Sequence, residues 1–152
     1  MILQGSREKL GKIKILVADS NTKLRQSTCS LLALHQDFEV LAETSDGTQT
    51  LKEAVRLKPD LVLMDIDISN MNGFEAIRKI KRKLPGAKLL VISDHRDDEC
   101  ILKAFEAGVS GYVLKDVAVE ELARAIRAVH NDQYYLCPSI SRTIVEAYLR
   151  NL

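Results

Sequence analysis

Residues 61–65 read LVLMD, four apolar side chains running straight into a carboxylate. A strand with one wet face would alternate apolar and polar positions, whereas continuous apolar character is the pattern of a strand covered on both faces by helices. IKILVA (13–18) and KLLVIS (88–93) share that pattern, and FEVLAE (38–43) and GYVLK (111–115) are further strand-sized runs. Amphipathic helical patterns follow each of them: Leu24, Thr28, Leu31, Leu32 and His35; Leu51, Ala54 and Val55; Phe74, Ile77, Ile80 and Leu84; Ile101, Leu102 and Phe105; Leu122, Ala125, Ile126 and Val129. The chain therefore reads as β-α repeated five times around a central parallel sheet.

Turn chemistry agrees with those boundaries. Ser45-Asp46-Gly47 separates the second strand from its helix, and Lys58-Pro59-Asp60 and Pro85-Gly86 end helices before the third and fourth strands. Gly108 stands where the fourth helix should stop, while Asp97, Asp98 and Glu99 load its first turn with the charge its dipole favours. Ala118 occupies the position where Ser, Thr or Asp would cap the fifth helix, so fraying is expected there.

A length of 152 residues, 46% hydrophobic and 28% charged, describes one ordinary domain that can bury a core without disulfides or metal. Lys and Arg number 22 and Asp and Glu 21, so there is no global pull toward nucleic acid, acidic substrates or an anionic membrane. Cys29, Cys100 and Cys137 form neither a CxxC pair nor a zinc pattern with histidine, and read as reduced thiols. No apolar run approaches the roughly 18–20 residues of a membrane span, and MILQGSREKLGK lacks the apolar stretch of a secretory signal. A cytoplasmic protein with no membrane partner is expected.

Open α/β sheets bind ligands outside the carboxyl ends of their strands. Reading just past each strand end gives Asp19 and Ser20, Asp65 and Asp67, Ser93, and Lys115. Gathered carboxylates repel unless a cation holds them, and oxygen ligands with retained waters suit Mg²⁺. With a metal, Lys115 as a point cation and Ser93 as a hydrogen-bond donor, Asp65 has the neighbours of a phosphate acceptor, because phosphoryl transfer asks a protein mainly for alignment and charge neutralisation.

At these residues the chain resembles a response-regulator receiver domain of two-component systems. The resemblance runs from about Lys12 to Val129 and rests on Asp19, PDLVLMD ending in Asp65, the loop MNG (71–73), LLVIS ending in Ser93, and AGVSGYVLKD with Tyr112 and Lys115. The AGxxGYxLKD form, the helix VEELARAIRAV and the tail NDQYYLCPSISRTIVEAYL are similar to the NarL/FixJ (LuxR-type) branch, whose members usually continue into a helix-turn-helix domain. The resemblance implies a CheY-like or flavodoxin-like fold: three-layer α/β/α, doubly wound (βα)5, with a five-stranded parallel sheet in the order 2-1-3-4-5. It implies Asp65 as phosphoacceptor from a sensor histidine kinase, and Mg²⁺ held by Asp19, Asp65 and the backbone carbonyl of Asp67. Lys115 would contact the phosphoryl group. Ser93 would move toward it and Tyr112 would rotate inward behind Ser93, changing the face of the fourth helix, fifth strand and fifth helix to control an output, in this branch transcription. Such a domain is not an enzyme beyond its own aspartyl phosphorylation and dephosphorylation.

Two positions depart from the family pattern. Ser20 stands where a second acid usually binds the metal, which predicts weaker Mg²⁺ binding and slower phosphorylation, offset in part if the Asp67 side chain turns in. Ser69 replaces a common proline and is expected to loosen its loop. Ser20 also motivates an alternative, a degenerate receiver acting as a phosphorylation-independent interaction module. A haloacid-dehalogenase-type phosphatase would use Asp65-Ile66-Asp67 as its DxD, but that family usually opens with its DxD strand and here an acid-bearing strand precedes the motif. The loop DSNTKL lacks the glycines of a flavodoxin-like cofactor site, and there is no GxGxxG for a dinucleotide.

The expected organisation is a polar leader over 1–11, the receiver over 12–130 and a linker helix over 131–152, with the DNA-binding domain outside this chain. In the tail, Ile140, Ile144, Tyr148 and Leu152, with Val145 and Leu149 beside them, make an apolar stripe too large for an isolated helix to bury. It packs on the receiver, packs on a second copy as a homodimer, or leads to the DNA-binding domain. The basic run over residues 78–83 reads as a solvated helix C-terminus rather than a nucleic-acid patch, since no aromatics interleave with it. His35, His95 and His130 read as surface residues rather than ligands, with His95 nearest the mouth of the site.

Overall fold

The computed structural model describes residues 11–152. The elements follow in the order β1 (Ile13–Ala18), α1 (Thr22–Ala33), β2 (Phe38–Thr44), α2 (Gly47–Leu57), β3 (Leu61–Asp65), α3 (Gly73–Lys83), β4 (Lys88–Ser93), α4 (Asp98–Ala107), β5 (Gly111–Leu114), α5 (Val119–His130), β6 (Tyr135–Leu136) and α6 (Pro138–Arg150). Every residue of β3 and β5 is buried. Helices on both sides cause this: α1 packs with α5, while α2, α3 and α4 pack side by side. The polar leader assigned to 1–11 lies, apart from Gly11, outside the described residues. Among the described residues no helix is long and apolar enough to cross a membrane.

All strand pairs are parallel and the sheet order is β2-β1-β3-β4-β5-β6. The expected order 2-1-3-4-5 is present, but the five-stranded sheet is corrected to six strands among the described residues. After α5 the chain reverses at Asp132, whose φ of 64° is left-handed, and Tyr135 and Leu136 then pair with Gly111 and Tyr112. Gly111 leaves room for side chains of β4 and α5, because a Cβ there would lie 2.6 Å from Leu90 Cδ1 and 2.9 Å from Val129 Cγ2. A two-residue strand has no periodicity to read.

The helix ends follow local chemistry. Side chains of Asn21, Asp46, Asn72 and Asp97 accept first-turn N–H groups of α1 to α4, each worth about 1 kcal/mol. Ala118 makes no such bond at α5. Gly108, at φ 124°, ends α4. The tail docks on the receiver through α6: Ile140 and Ala147 are buried, Arg150 pairs with Asp98 of α4 at 2.8 Å, and the Tyr134 and Phe105 rings lie 6.2 Å apart. The stripe that faces α4 therefore runs through Ala147, not Tyr148, which is 66% exposed. Lying along α4 with Arg150 at Asp98 turns the larger side chains outward.

Gly73 opens α3 under close approach by its own chain, since a Cβ would sit 2.1 Å from the Ile66 carbonyl oxygen. Backbone cannot yield as a flexible side chain can. Gly73→Ala is expected to lower stability by about 1–3 kcal/mol. Gly86→Ala, with nothing within 4 Å, should change it by less than about 0.5 kcal/mol. Urea denaturation of the two variants beside the parent checks both.

Candidate functional site

Asp65 ends β3 and Ser93 ends β4, while Asp19 and Lys115 stand one residue past β1 and β5. Parallel pairing in register brings all four to one edge of the sheet. Asp19 and Asp65 are only 4% and 5% exposed and Ser93 is fully buried. Lys115 Nζ donates to Asp65 Oδ2 at 2.6 Å and lies 3.9 Å from Asp19 Oδ2. The remaining oxygens accept backbone donors: Asp65 Oδ1 from the Asp67 N–H at 3.0 Å, and Asp19 Oδ1 from the Asn21 N–H at 2.8 Å. Two buried carboxylates thus face one ammonium, and they are the groups that could hold a hard cation at this edge.

Burial pushes the Asp19 carboxyl above its usual value; the Asn21 N–H and Lys115 oppose this, and the Asp65 charge adds to it. Burial draws Lys115 down, but the hydrogen bond and charge of Asp65, with Asp19 and Asp94 behind it, outweigh that and leave the ammonium above the ordinary lysine value. Lys115 is held charged.

Ser93 Oγ accepts the His95 N–H at 3.0 Å. Tyr112 is fully buried, and its hydroxyl donates to the His95 carbonyl at 2.8 Å with Cys100 Sγ 3.6 Å away. Burial raises its phenol well above the usual tyrosine value.

The two departures from the family pattern meet each other. Ser20 Oγ accepts the Ser69 N–H at 3.0 Å, and lies 3.0 Å from the Ser45 carbonyl and 3.2 Å from Ser69 Oγ. Its hydroxyl is occupied by the neighbouring loops. The expectation that Ser69 loosens its loop fails: its N–H, which a proline would lack, ties to Ser20, and its carbonyl accepts the Gly47 N–H at 2.8 Å. The Asp67 carboxylate does not turn in either. It is 61% exposed and accepts from His95 Nε2, with its oxygens 2.8 and 3.0 Å away. His95, read as a surface residue, is thus a partner of Asp67, Ser93 and Tyr112 at once. The only sequence signal was its place two residues past Ser93.

Asp19 binds its proton more tightly in the folded chain than in the unfolded one, so its ionised form subtracts from stability at neutral pH. That loss vanishes as pH falls through the raised folded value toward the ordinary carboxylate value. Asp19→Asn, which keeps the acceptor for Asn21, is expected to raise the urea midpoint at neutral pH. The gain should shrink as pH is lowered through the carboxylate range, as a denaturation series over pH will read.

Residues 15–127 match the response regulator receiver domain family. The chain is 32% identical over 139 residues to the transcriptional regulatory protein DegU of Brevibacillus brevis, covering 91% of this chain and 59% of that protein. It is 33% identical over 138 residues to the transcriptional regulatory protein LnrK of Bacillus subtilis, covering 91% and 63%. The chain thus spans less than two thirds of the length of these relatives. A two-component response regulator of the LuxR family from Aurantimonas sp. superposes with a TM-score of 0.86 at 30% identity, over 91% of this chain and 99% of that one. A DNA-binding response regulator of the LuxR family from Staphylococcus aureus does so with a TM-score of 0.74 at 32% identity, over 78% and 99%. With its acids, serine and lysine gathered at the carboxyl edge of the sheet, the chain belongs to the response regulator receiver domain family, and its relatives are regulators of the LuxR type.

Proposed function

We propose that this receiver takes a phosphoryl group from a sensor histidine kinase onto Asp65 and passes the change through Ser93 and Tyr112 to the face made by α4, β5 and α5. The observation that carries this is the buried Asp65 carboxylate, held by Lys115 at 2.6 Å beside the end of β4. An ionised carboxylate needs no general base to attack phosphorus. As its oxygen bonds to phosphorus, the P–N bond of the kinase's phosphohistidine breaks and the imidazole keeps the electron pair. Lys115 then balances charge on the phosphoryl oxygens, and the Ser93 hydroxyl hydrogen is available to one of them.

Two buried carboxylates sharing one ammonium fit a hard divalent cation. Asp19, Asp65 and the Asp67 carbonyl would hold Mg²⁺, which when bound neutralises charge on the transferring group. The phosphatase reading is disfavoured because the Asp67 carboxylate faces outward on His95 instead of toward Asp65. Control of transcription, and DNA contact through a domain beyond the receiver, follow from the relatives' character. A homodimer would use the outward stripe of α6, where Val145, Tyr148 and Leu149 are exposed.

Acetyl phosphate with Mg²⁺ is expected to add one phosphoryl group, mapped to Asp65 by mass spectrometry and absent in Asp65→Asn. A chain that stays unlabelled is a degenerate module instead, and steady turnover of a chromogenic phosphomonoester would return the phosphatase. Because Ser20 offers only a neutral hydroxyl engaged with the Ser45 and Ser69 loops, Ser20→Asp adds a charged ligand at that position. A charge pair at about 4 Å is worth about 4 kcal/mol at an effective dielectric near 20, part of which is lost with the Ser69 bond. Calorimetric titration should show Mg²⁺ binding tightened about tenfold or more; equal affinity would mean that position 20 is immaterial to the metal.

A further inference from the structure

The loop from β4 into α4 carries three metal-ligating side chains that phosphoryl transfer does not use. One ligand atom each from His95, Asp97 and Cys100 lies within 4.8 Å of the other two. They line a cavity of about 270 Å³ whose far wall is Asn72 and Phe74 of the preceding loop and helix.

His95 and Asp97 each keep one ligand atom outside their hydrogen bonds. His95 Nε2 is taken by Asp67, so in the neutral ring Nδ1 keeps its lone pair. A carboxylate behind a histidine is the arrangement that fixes the tautomer and orientation of a metal-binding imidazole. Asp97 uses Oδ2 to cap α4 through the Cys100 N–H at 3.0 Å, which leaves Oδ1. Cys100 is half-buried, with the Tyr112 hydroxyl 3.6 Å from its sulfur. Among the surrounding charges, Lys103 and Glu99, which also line the cavity, pair with each other at 3.1 Å, and Asp98 pairs with Arg150 at 2.8 Å.

We propose that His95, Asp97 and Cys100 bind a zinc-class divalent cation at the start of α4, at a site separate from the hard-cation position at Asp65. Nitrogen, sulfur and oxygen donors together suit borderline metals and not Mg²⁺, which asks for oxygen alone. Three protein ligands leave a fourth tetrahedral position for water. Binding replaces the Cys100 thiol proton, which passes to solvent, so the cation meets one thiolate, one carboxylate and one neutral imidazole. The site shares His95 with Tyr112 and Ser93, which places it at the switch residues. It does not rest on phosphorylation of Asp65.

The full chain, in excess Mg²⁺, is titrated with Co²⁺ as a zinc-class probe. The expected result is a thiolate-to-cobalt charge-transfer band that saturates at one ion per chain and is displaced by Zn²⁺. The band should disappear in Cys100→Ser and persist in Cys29→Ser, with circular dichroism showing both folded. Asp67→Ala, which leaves the ligands but removes the group that orients His95, should weaken Co²⁺ binding about tenfold or more. No band in the parent, or a band that survives Cys100→Ser, overturns the proposal.

Discussion

The contact of Lys115 with Asp65 holds the working edge of this fold together. It joins the end of β5 to the end of β3 across β4, and it balances charge at a place where two carboxylates have been taken out of water. An uncompensated buried carboxylate is costly enough to shift its own proton equilibrium. Asp19, farther from the ammonium, shows that pressure, whereas Lys115 is driven the other way and stays charged. At Asp65 the same burial is matched by the Lys115 ammonium at 2.6 Å.

Around this edge the loops are fixed by different means. On the β1 and β3 side, Ser20, Ser69 and Ser45 form a small polar clasp in which a backbone N–H at position 69 is indispensable. The two unusual serines are therefore one feature: a proline at 69 would leave Ser20 Oγ without its donor. On the β4 side, His95 gives its N–H to Ser93, its carbonyl to Tyr112 and its ring to Asp67. The Asp67 N–H in turn supports Asp65. One residue thus links Ser93, the Tyr112 phenol and the Asp67 carboxylate by hydrogen bonds.

The C-terminal segment extends the same face. Tyr135 and Leu136 continue the sheet beyond β5, and the Cys137 N–H donates to the Tyr112 carbonyl at 3.4 Å. Arg150 reaches Asp98 at the first turn of α4. The tail is thus bonded at its start to the backbone of Tyr112 and at its end to the helix that follows the His95 loop.

Five of the strands, their parallel sheet and the convergence of Asp19, Asp65, Ser93 and Lys115 are legible in the chain alone. Continuous apolar runs and helix-spaced stripes are local patterns, and a parallel βα repeat must bring its strand ends to one edge. The caps at Asn21, Asp46, Asn72 and Asp97, and the stop at Gly108, lie within a few residues of what they hold, so they too could be read or checked locally. Which way Ser20 and Asp67 point depends on the folded chain, because their partners Ser69 and His95 are 49 and 28 residues away. The same holds for β6, which is too short to have a pattern and is defined by its pairing with Gly111 and Tyr112 of β5. It holds again for α6, where several apolar positions could have faced inward and contact with α4 selected Ala147 over Tyr148. Periodicity specifies that a face is buried; which residues complete it, and where a polar side chain finds its partner, depends on neighbours that only folding brings near.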